Sequence, residues 1–158
     1  MTRIIGIDPG TATTGFGVID VEAGRFRLVD AGVITTPAGT PMPERLRTLH
    51  DELTEVIAAT RPQQAVVEQL FFATNVTTAI SVGQARGVIL LTLAEAGLDP
   101  VEYTPMQIKQ AVTGYGGAKK PQIQEMVRVL LGLSVIPRPD DAADALAAAS
   151  THANVGIR

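Results

Sequence analysis

The stretch RIIGIDPGTATTGFGVID, residues 3–20, begins as an apolar run and then delivers an aspartate and a sharp turn. The isoleucines before Asp8 predict a short buried strand that ends at this carboxylate. Pro9 and Gly10 suit the central positions of a type II turn, because proline fixes the first φ angle and glycine accepts a positive φ at the second. The stretch therefore raises the question of why a strand made for the interior should end in a charge.

The remainder of the chain changes its apolar period several times, which indicates alternating strands and helices. The predicted elements are, in order, a strand through Val18 and Ile19, a strand over 25–36, a helix carrying Leu46 to Ile57, a strand over 63–72, a helix over 75–96, a short strand over 98–104, a helix over 107–112, an amphipathic helix carrying Ile123 to Leu131, and a final helix over 140–153. The strands at the front favour an antiparallel meander. We therefore predict a single α/β domain, residues 1–158, with a mixed sheet flanked by helices.

Composition narrows the classes of function. A chain of 158 residues with 46% hydrophobic content is large enough to bury a core. It has no cysteine, which excludes disulfides, thiolate metal sites and a catalytic thiol. The first residues enter a strand directly, without a basic leader, and no apolar run reaches the roughly 18 residues of a membrane span. We expect a cytoplasmic protein without a membrane partner.

The charges are unevenly distributed. The net charge is −3, but all three lysines, Lys109, Lys119 and Lys120, fall in a region that has no acidic residue between Glu102 and Glu125. A second acid-free window, residues 69–94, contains Arg86. Such windows indicate local contact with a polyanion, although a buried segment would also lack acids. The glycines around the lysines favour a loop, which is typical of a contact surface.

Four carboxylates lie at the ends of predicted core elements or on their inward faces. Asp8 and Glu68 follow buried strands, and Asp141 and Asp144 lie three residues apart on one face of the final helix. Each has an ordinary alternative explanation: a turn residue for Asp8, a loop charge for Glu68, and a helix N-cap for Asp140 or Asp141. Ionised carboxylates in such places are costly unless they are paired or bind a metal.

Taken together, these carboxylates predict a metal site, because strand ends of one sheet meet in a common crevice that a helix can border. Hard oxygen ligands without sulfur select Mg²⁺ or Mn²⁺. Two such ions about 4 Å apart suit in-line cleavage of a phosphodiester. His152 lies two helical turns beyond Asp144 and is predicted to be a surface or packing residue.

Five blocks of the sequence carry a family resemblance. They are GIDPGTATTGFGVI, VVEQLFFATN, GQARGVIL, QIKQAVTGYGGAKKPQIQEMV and DDAADALAAASTH. In this order and over essentially the whole chain, they resemble the signature blocks of the RuvC crossover-junction endonucleases. The resemblance implies a ribonuclease H-like fold, a homodimer, and resolution of four-way Holliday junctions by paired symmetric nicks. It also suggests cooperation with a branch-migration helicase complex.

Residue by residue, the resemblance implies that Asp8, Glu68, Asp141 and Asp144 are the catalytic, metal-binding quartet. The match to D-A-A-D-A-L selects Asp141 over Asp140, which leaves Asp140 as a cap or a neighbouring charge. The resemblance further implies that Lys109 and Lys120 lie near the scissile phosphate, with Lys119 as a neighbour, and Arg86 is predicted to contact DNA.

The resemblance also implies that Phe71 contacts unpaired bases at the crossover. The alternative for Phe71 is core packing. If this segment is extended, Phe71 and Phe72 point to opposite sides, so we expect one of them to be exposed.

Two rival functions come from other classes. GIDPGTATTG also resembles the first phosphate loop of actin-like ATPases and sugar kinases, but those need a second phosphate loop in a second domain, for which 158 residues leave no room. A module that only binds junctions is the other rival. The four carboxylates argue against it, because negative charge facing phosphates weakens DNA binding.

Overall fold

The architecture was analysed in a computed structural model that describes residues 1–69 and 76–155. Within them the strands are β1 (Thr2–Asp8), β2 (Thr13–Glu22), β3 (Arg25–Thr35), β4 (Gln64–Glu68) and β5 (Val101–Tyr103). The helices are α1 (Met42–Thr60), α2 (Val76–Glu95), α3 (Pro105–Thr113), α4 (Lys120–Leu130) and α5 (Asp140–Val155). Phe71 and Phe72, and with them the predicted base contact, lie outside the described residues.

The strands form one mixed sheet in the order β3-β2-β1-β4-β5. β1, β2 and β3 are antiparallel neighbours, which confirms the predicted meander, whereas β4 lies parallel to β1 and β5 parallel to β4. The central position of β1 follows from its apolar sequence, since a strand with a neighbour on each side and helices on both faces has no solvated surface. The predicted mixed sheet flanked by helices is confirmed.

Side chains of β1 alternate between two separate cores. Ile5 and Ile7 join the core that α1 and α2 cover, while Ile4 joins the core under α3, α4 and α5. Asp8 follows the same alternation as Ile4, so its carboxylate faces the α5 side of the sheet. The parity of one strand therefore determines which helices can reach this carboxylate.

Two glycines let α5 lie directly on the sheet backbone. A Cβ at Gly6 would overlap the carbonyl oxygen of Ala145, and a Cβ at Gly15 would overlap the carbonyl oxygen of Asp141. Gly15 is the cross-strand partner of Asp8. The missing side chains therefore bring the N-terminal turn of α5 within reach of the end of β1.

The predicted type II turn after Asp8 is wrong. Gly10 does not adopt a positive φ, which that turn requires at its second central residue. Glycine is needed here for space, because a Cβ would overlap the carbonyl oxygen of Thr13. The Thr14 hydroxyl donates to the Gly10 carbonyl oxygen over 2.6 Å and holds this close loop together.

α2 is the helix whose length and composition bear on the expectation that no segment is apolar enough to cross a membrane. Its 20 residues include a window with a mean hydropathy of 1.4, so by length and composition alone α2 meets that criterion, and 22% of the window is buried. The helix meets this criterion although it contains no unbroken apolar run of that length, because an average tolerates its scattered Thr, Ser and Gln. Ala85, Ile89 and Leu93 pack into the core.

Candidate metal centre

Asp8 and Glu68 end two neighbouring parallel strands. Ile7 of β1 pairs with Val67 of β4, so the next residue on each strand is an acid at the same edge of the sheet. Both acids follow the parity that faces α5, and their carboxyl groups are close enough to affect each other's pKa. Parallel pairing thus places side by side two carboxylates that are 60 positions apart in the sequence.

The third and fourth carboxylates come from the first turns of α5. One carboxylate oxygen from each of Asp8, Asp141 and Asp144 lies within 4.8 Å of the other two, and all three residues are half-buried. Acidic side chains in the first turn of a helix also benefit from its dipole. The donor set consists of oxygen alone, which fits a hard divalent cation such as Mg²⁺ or Mn²⁺.

The cluster is electrostatically strained as it stands. Burial, together with the negative charges of Glu68, Asp144 and Asp141, raises the pKa of Asp8 to about 9. Burial also raises the pKa values of Glu68 and Asp144, against the opposing effect of Lys120. Carboxyl groups that resist ionisation at neutral pH gain most from a bound cation, because the cation stabilises their charged form.

Lys120 lies at the edge of this cluster, between two acids of α5. Its Nζ is 3.5 Å from Asp144 Oδ2 and 3.7 Å from Asp140 Oδ2. Burial lowers the pKa of Lys120, but the charges of Asp144 and Asp140 outweigh it, and the net pKa is raised. This ammonium is therefore held in its charged form at the rim of the site.

A cleft of about 480 Å³ opens beside the carboxylates. Its charged lining comprises Glu68, Asp144, Lys109, Lys119 and Lys120. Ile108, Ile123 and Ala147 contribute apolar lining. All three lysines of the chain thus border one cleft, together with two members of the predicted quartet, as suits a site for a polyanion.

Arg86 occupies a different place from the lysines. Its Nη1 donates to the Glu68 carbonyl oxygen over 3.0 Å, and its Nη2 forms an ion pair with Glu102. The side chain is 15% exposed and does not line the cleft. Arg86, which the sequence suggested as a DNA contact, supports the backbone of a site residue in this structure.

Three residues of this region were missed or left open by the sequence. Gln124 is buried, and its Nε2 donates to Asp140 Oδ1 over 3.0 Å; its position one helical turn after Lys120 was a usable signal. Asp140 is the first residue of α5, and the amides of Ala142 and Ala143 donate to the Pro139 carbonyl oxygen. His152 is a packing residue: it is buried, with Nδ1 2.9 Å from the Tyr103 hydroxyl.

Comparison with known proteins places this geometry in a family. The family model "Crossover junction endodeoxyribonuclease RuvC" matches residues 4–152. The RuvC of Chloroflexus aurantiacus is 60% identical over 151 residues, which cover 96% of this chain and 92% of that protein. The RuvC of Rubrobacter xylanophilus is 61% identical over 150 residues, covering 95% and 84%.

A solved structure agrees with these relatives. Thermus thermophilus RuvC in complex with Holliday junction substrate superposes with a TM-score of 0.94 at 41% sequence identity, covering 99% of this chain and 95% of that one. A family model that matches most of the chain, relatives near 60% identity and this shared fold all agree. The chain belongs to the RuvC family of crossover junction endodeoxyribonucleases.

Proposed function

We propose that this protein resolves four-way DNA junctions by hydrolysing one phosphodiester in each of two strands, leaving 5′-phosphate and 3′-hydroxyl ends. The observation that carries the proposal is the carboxylate cluster of Asp8, Asp141 and Asp144 beside a cleft lined by three lysines. The related RuvC in complex with Holliday junction substrate supports junction DNA as the substrate. The expected activity is nicking that depends on both DNA structure and a divalent cation.

In this proposal Asp8, Glu68, Asp141 and Asp144 hold two Mg²⁺ ions, for which Mn²⁺ can substitute. When bound, such ions stabilise charge on phosphodiester oxygens and make water more acidic. The chain's own part is to keep the carboxylate oxygens close together despite their repulsion. It does so with two strand ends, which cannot move independently of the sheet, and with a helix fixed on the sheet backbone by Gly6 and Gly15.

The lysines have a separate role. We assign Lys109, Lys119 and Lys120 to the DNA backbone, because they border the cleft while the acids of the site would repel phosphates. Lys120 lies closest to the carboxylates and is the residue placed to neutralise charge at the reacting phosphate. The chain can therefore hold a polyanion against an acidic centre although its net charge is −3.

A homodimer is the second part of the proposal, and α2 is its interface. Val76, Ile80 and Leu91 are exposed apolar residues on one face of this helix. Gly83 and Gly87 lie between them on the same face, with open space where a Cβ would be. An apolar stripe with a flat centre fits a second copy of the same helix, and two-fold symmetry suits a junction that needs two equivalent cuts.

The dimer is tested by sedimentation. Ile80→Asp should convert a dimer to a monomer, because it buries a charge at the centre of the stripe. Val129→Asp on α4 is the matched control, since Val129 is similarly exposed but lies on another helix. Equal sedimentation of Ile80→Asp and the wild type would remove α2 from the interface.

The activity is tested with a synthetic four-way junction, a linear duplex and a single strand of matched sequence. Each is incubated with Mg²⁺, with Mn²⁺ or with EDTA. We expect paired symmetric nicks in the junction and not in the other two substrates, and only when Mg²⁺ or Mn²⁺ is present. Tight junction binding without nicks under either metal would favour the module that only binds junctions, and equal cutting of duplex would contradict structure specificity.

A further inference from the structure

Four side chains form a polar contact between α4 and α5 at the mouth of the metal centre. Lys120 and Gln124 lie one helical turn apart on α4, and Asp140 and Asp144 lie one turn apart on α5. Lys120 Nζ contacts both carboxylates, at 3.7 Å from Asp140 and 3.5 Å from Asp144. Gln124 Nε2 donates to the other oxygen of Asp140 over 3.0 Å. Asp140 is therefore bound on one oxygen and faces Lys120 with the other.

Asp140 differs from its neighbours in what it faces. Among the described residues, Asp8, Asp141 and Asp144 form the one group of three or more acids whose oxygens all lie within 4.8 Å of one another, and Asp140 is outside it. Besides Lys120 and Gln124, its carboxylate meets Arg138, whose Nη1 is 3.4 Å away on a side chain 72% exposed. A solvated ion pair of this kind is weak. Because Arg138 is more exposed than Lys120, at 72% against 51%, it competes weakly for the Asp140 carboxylate.

We propose that Asp140, oriented by Gln124, is a positioning residue that holds Lys120 at the reacting phosphate. Asp144 serves both Lys120 and the carboxylate cluster, so a cation bound by Asp144 weakens its attraction for the ammonium. Asp140 offers Lys120 a second carboxylate outside the cluster, which that cation leaves free. The inference deepens the proposed function, since it rests on the role assigned to Lys120 there.

Gln124 suits this task because of its chemistry and its burial. Its amide fixes the Asp140 carboxylate without neutralising it, whereas a lysine or arginine at this position would compete with Lys120 for the same charge. The side chain is 8% exposed and packs at the α4–α5 interface, so its direction is set by the helices. Gln124 therefore sets the direction of the Asp140 carboxylate.

The first test is single-turnover cleavage of a junction at saturating protein. Asp140→Asn should lower the rate about tenfold, because it weakens the hold on Lys120, while junction affinity in EDTA stays the same or rises. The Mg²⁺ concentration for half-maximal rate should not change, in contrast to the loss of a metal ligand. Gln124→Met should give a smaller loss of the same kind. Glu125→Gln is the matched control. It also removes one carboxylate charge, at the residue after Gln124 on α4, but Glu125 pairs with Arg128, so the rate should be unchanged.

The second test separates positioning from structure. In a Lys120→Met background, Asp140→Asn should cause no further loss of rate, because the group on which it acts is gone. The thermal midpoint in EDTA gives a readout without metal. Asp140→Asn should lower this midpoint by about 1 to 3 °C more when Lys120 is present than in the Lys120→Met background. Additive effects in both measurements would overturn the inference.

The outcomes distinguish this inference from the function on which it rests. If Lys120→Met itself cleaves at the wild-type rate, the role proposed for Lys120 fails, and the inference fails with it. If Lys120→Met is impaired while Asp140→Asn is not, the inference alone is wrong. A raised Mg²⁺ requirement in Asp140→Asn would overturn it in favour of a metal ligand.

Discussion

Two aspartates near opposite ends of the β1–β2 ladder show how this protein treats a buried charge. Asp20 is directly opposite Arg3 in the register, whereas Asp8 is opposite Gly15. Asp20 is 3% exposed, yet Arg3 Nε and Arg27 Nη2 reach its two oxygens at 2.7 and 2.5 Å. Hydrogen bonding from Arg3 is the main cause that lowers the pKa of Asp20. The chain itself neutralises this carboxylate.

In the described part of the chain, Asp8 lacks the arginine partners that Asp20 has. Within residues 1–69 and 76–155 no lysine or arginine forms an ion pair with it, and its neighbours are three further acids. Burial and this repulsion raise its pKa, while that of Asp20 is lowered. A buried carboxylate paired with arginines is therefore structural, whereas one surrounded by acids indicates that a cation from outside the chain completes the site.

Replacing Asp8 should cause the greatest loss of activity. Asp8→Asn removes one metal ligand and one negative charge, so junction cleavage should fall at least about a thousandfold, or roughly 4 kcal/mol. Junction affinity in EDTA at neutral pH should stay the same, because Asp8, with its pKa raised to about 9, already carries little charge there without a cation. Single-turnover nicking with Mg²⁺ and a mobility-shift titration measure the two quantities. A rate within tenfold of wild type would contradict the metal site.

The same substitution at Asp20 should lower the stability of the fold and leave the cleavage rate unchanged. Asp20→Asn leaves Arg3 without its carboxylate, although Arg3 keeps its bond to the Thr60 carbonyl oxygen. We expect the free energy of unfolding to fall by about 2 to 3 kcal/mol, less than for a fully buried pair because both arginines are partly exposed. Urea denaturation measures the loss. Cleavage per folded molecule should be unchanged, and a stable but inactive variant would reverse the roles of the two aspartates.

The pH dependence of stability in EDTA should differ in sign between the two sites. The pKa of Asp8 is raised from 3.8 to about 9 in the folded protein, so its contribution is present below pH 3.8 and is lost as the pH rises toward 9. The lowered pKa of Asp20 contributes stability above its unfolded value that is lost in acid. Asp8→Asn should therefore be more stable than wild type by about 1 to 2 kcal/mol at pH 8.5 and nearly equal to it at pH 4.

Urea denaturation at both pH values measures this difference. Adding Mg²⁺ at pH 8.5 should raise the stability of the wild type and not of Asp8→Asn, because ligand binding to the folded state stabilises it. An advantage of Asp8→Asn that shrinks as the pH rises would show that the cluster is not under electrostatic strain.

The sequence was sufficient for the features that depend on local period. An acid directly after an apolar strand singles out Asp8 and Glu68, and spacing puts Asp144 on one helical face with either Asp140 or Asp141. The choice of Asp141 rests on the family resemblance. The type II turn predicted after Asp8 is wrong, because Gly10 is needed for its missing side chain, where the Thr13 backbone comes close, and does not adopt a positive φ. No local pattern encodes that close approach.

Contacts between elements were also beyond the sequence. The link from Gln124 to Asp140 depends on how α4 is rotated against α5. Arg86 lies in an acid-free window, yet β5 lies beside β4 and brings Glu102 to it across the sheet. Counting charges along the chain could not find this partner.

Arg86 resembles Arg3, because its guanidinium is bonded inside the fold, whereas Lys109 lines the cleft. Lys109→Gln should reduce the slope of log affinity against log salt for junction binding in EDTA by about 1, because one phosphate contact is lost. Arg86→Gln should leave the slope unchanged, because its guanidinium is engaged by the Glu68 carbonyl and Glu102. Equal losses of slope would show that Arg86 also contacts DNA, and a cation bonded inside the fold would then not be excluded from the DNA interface.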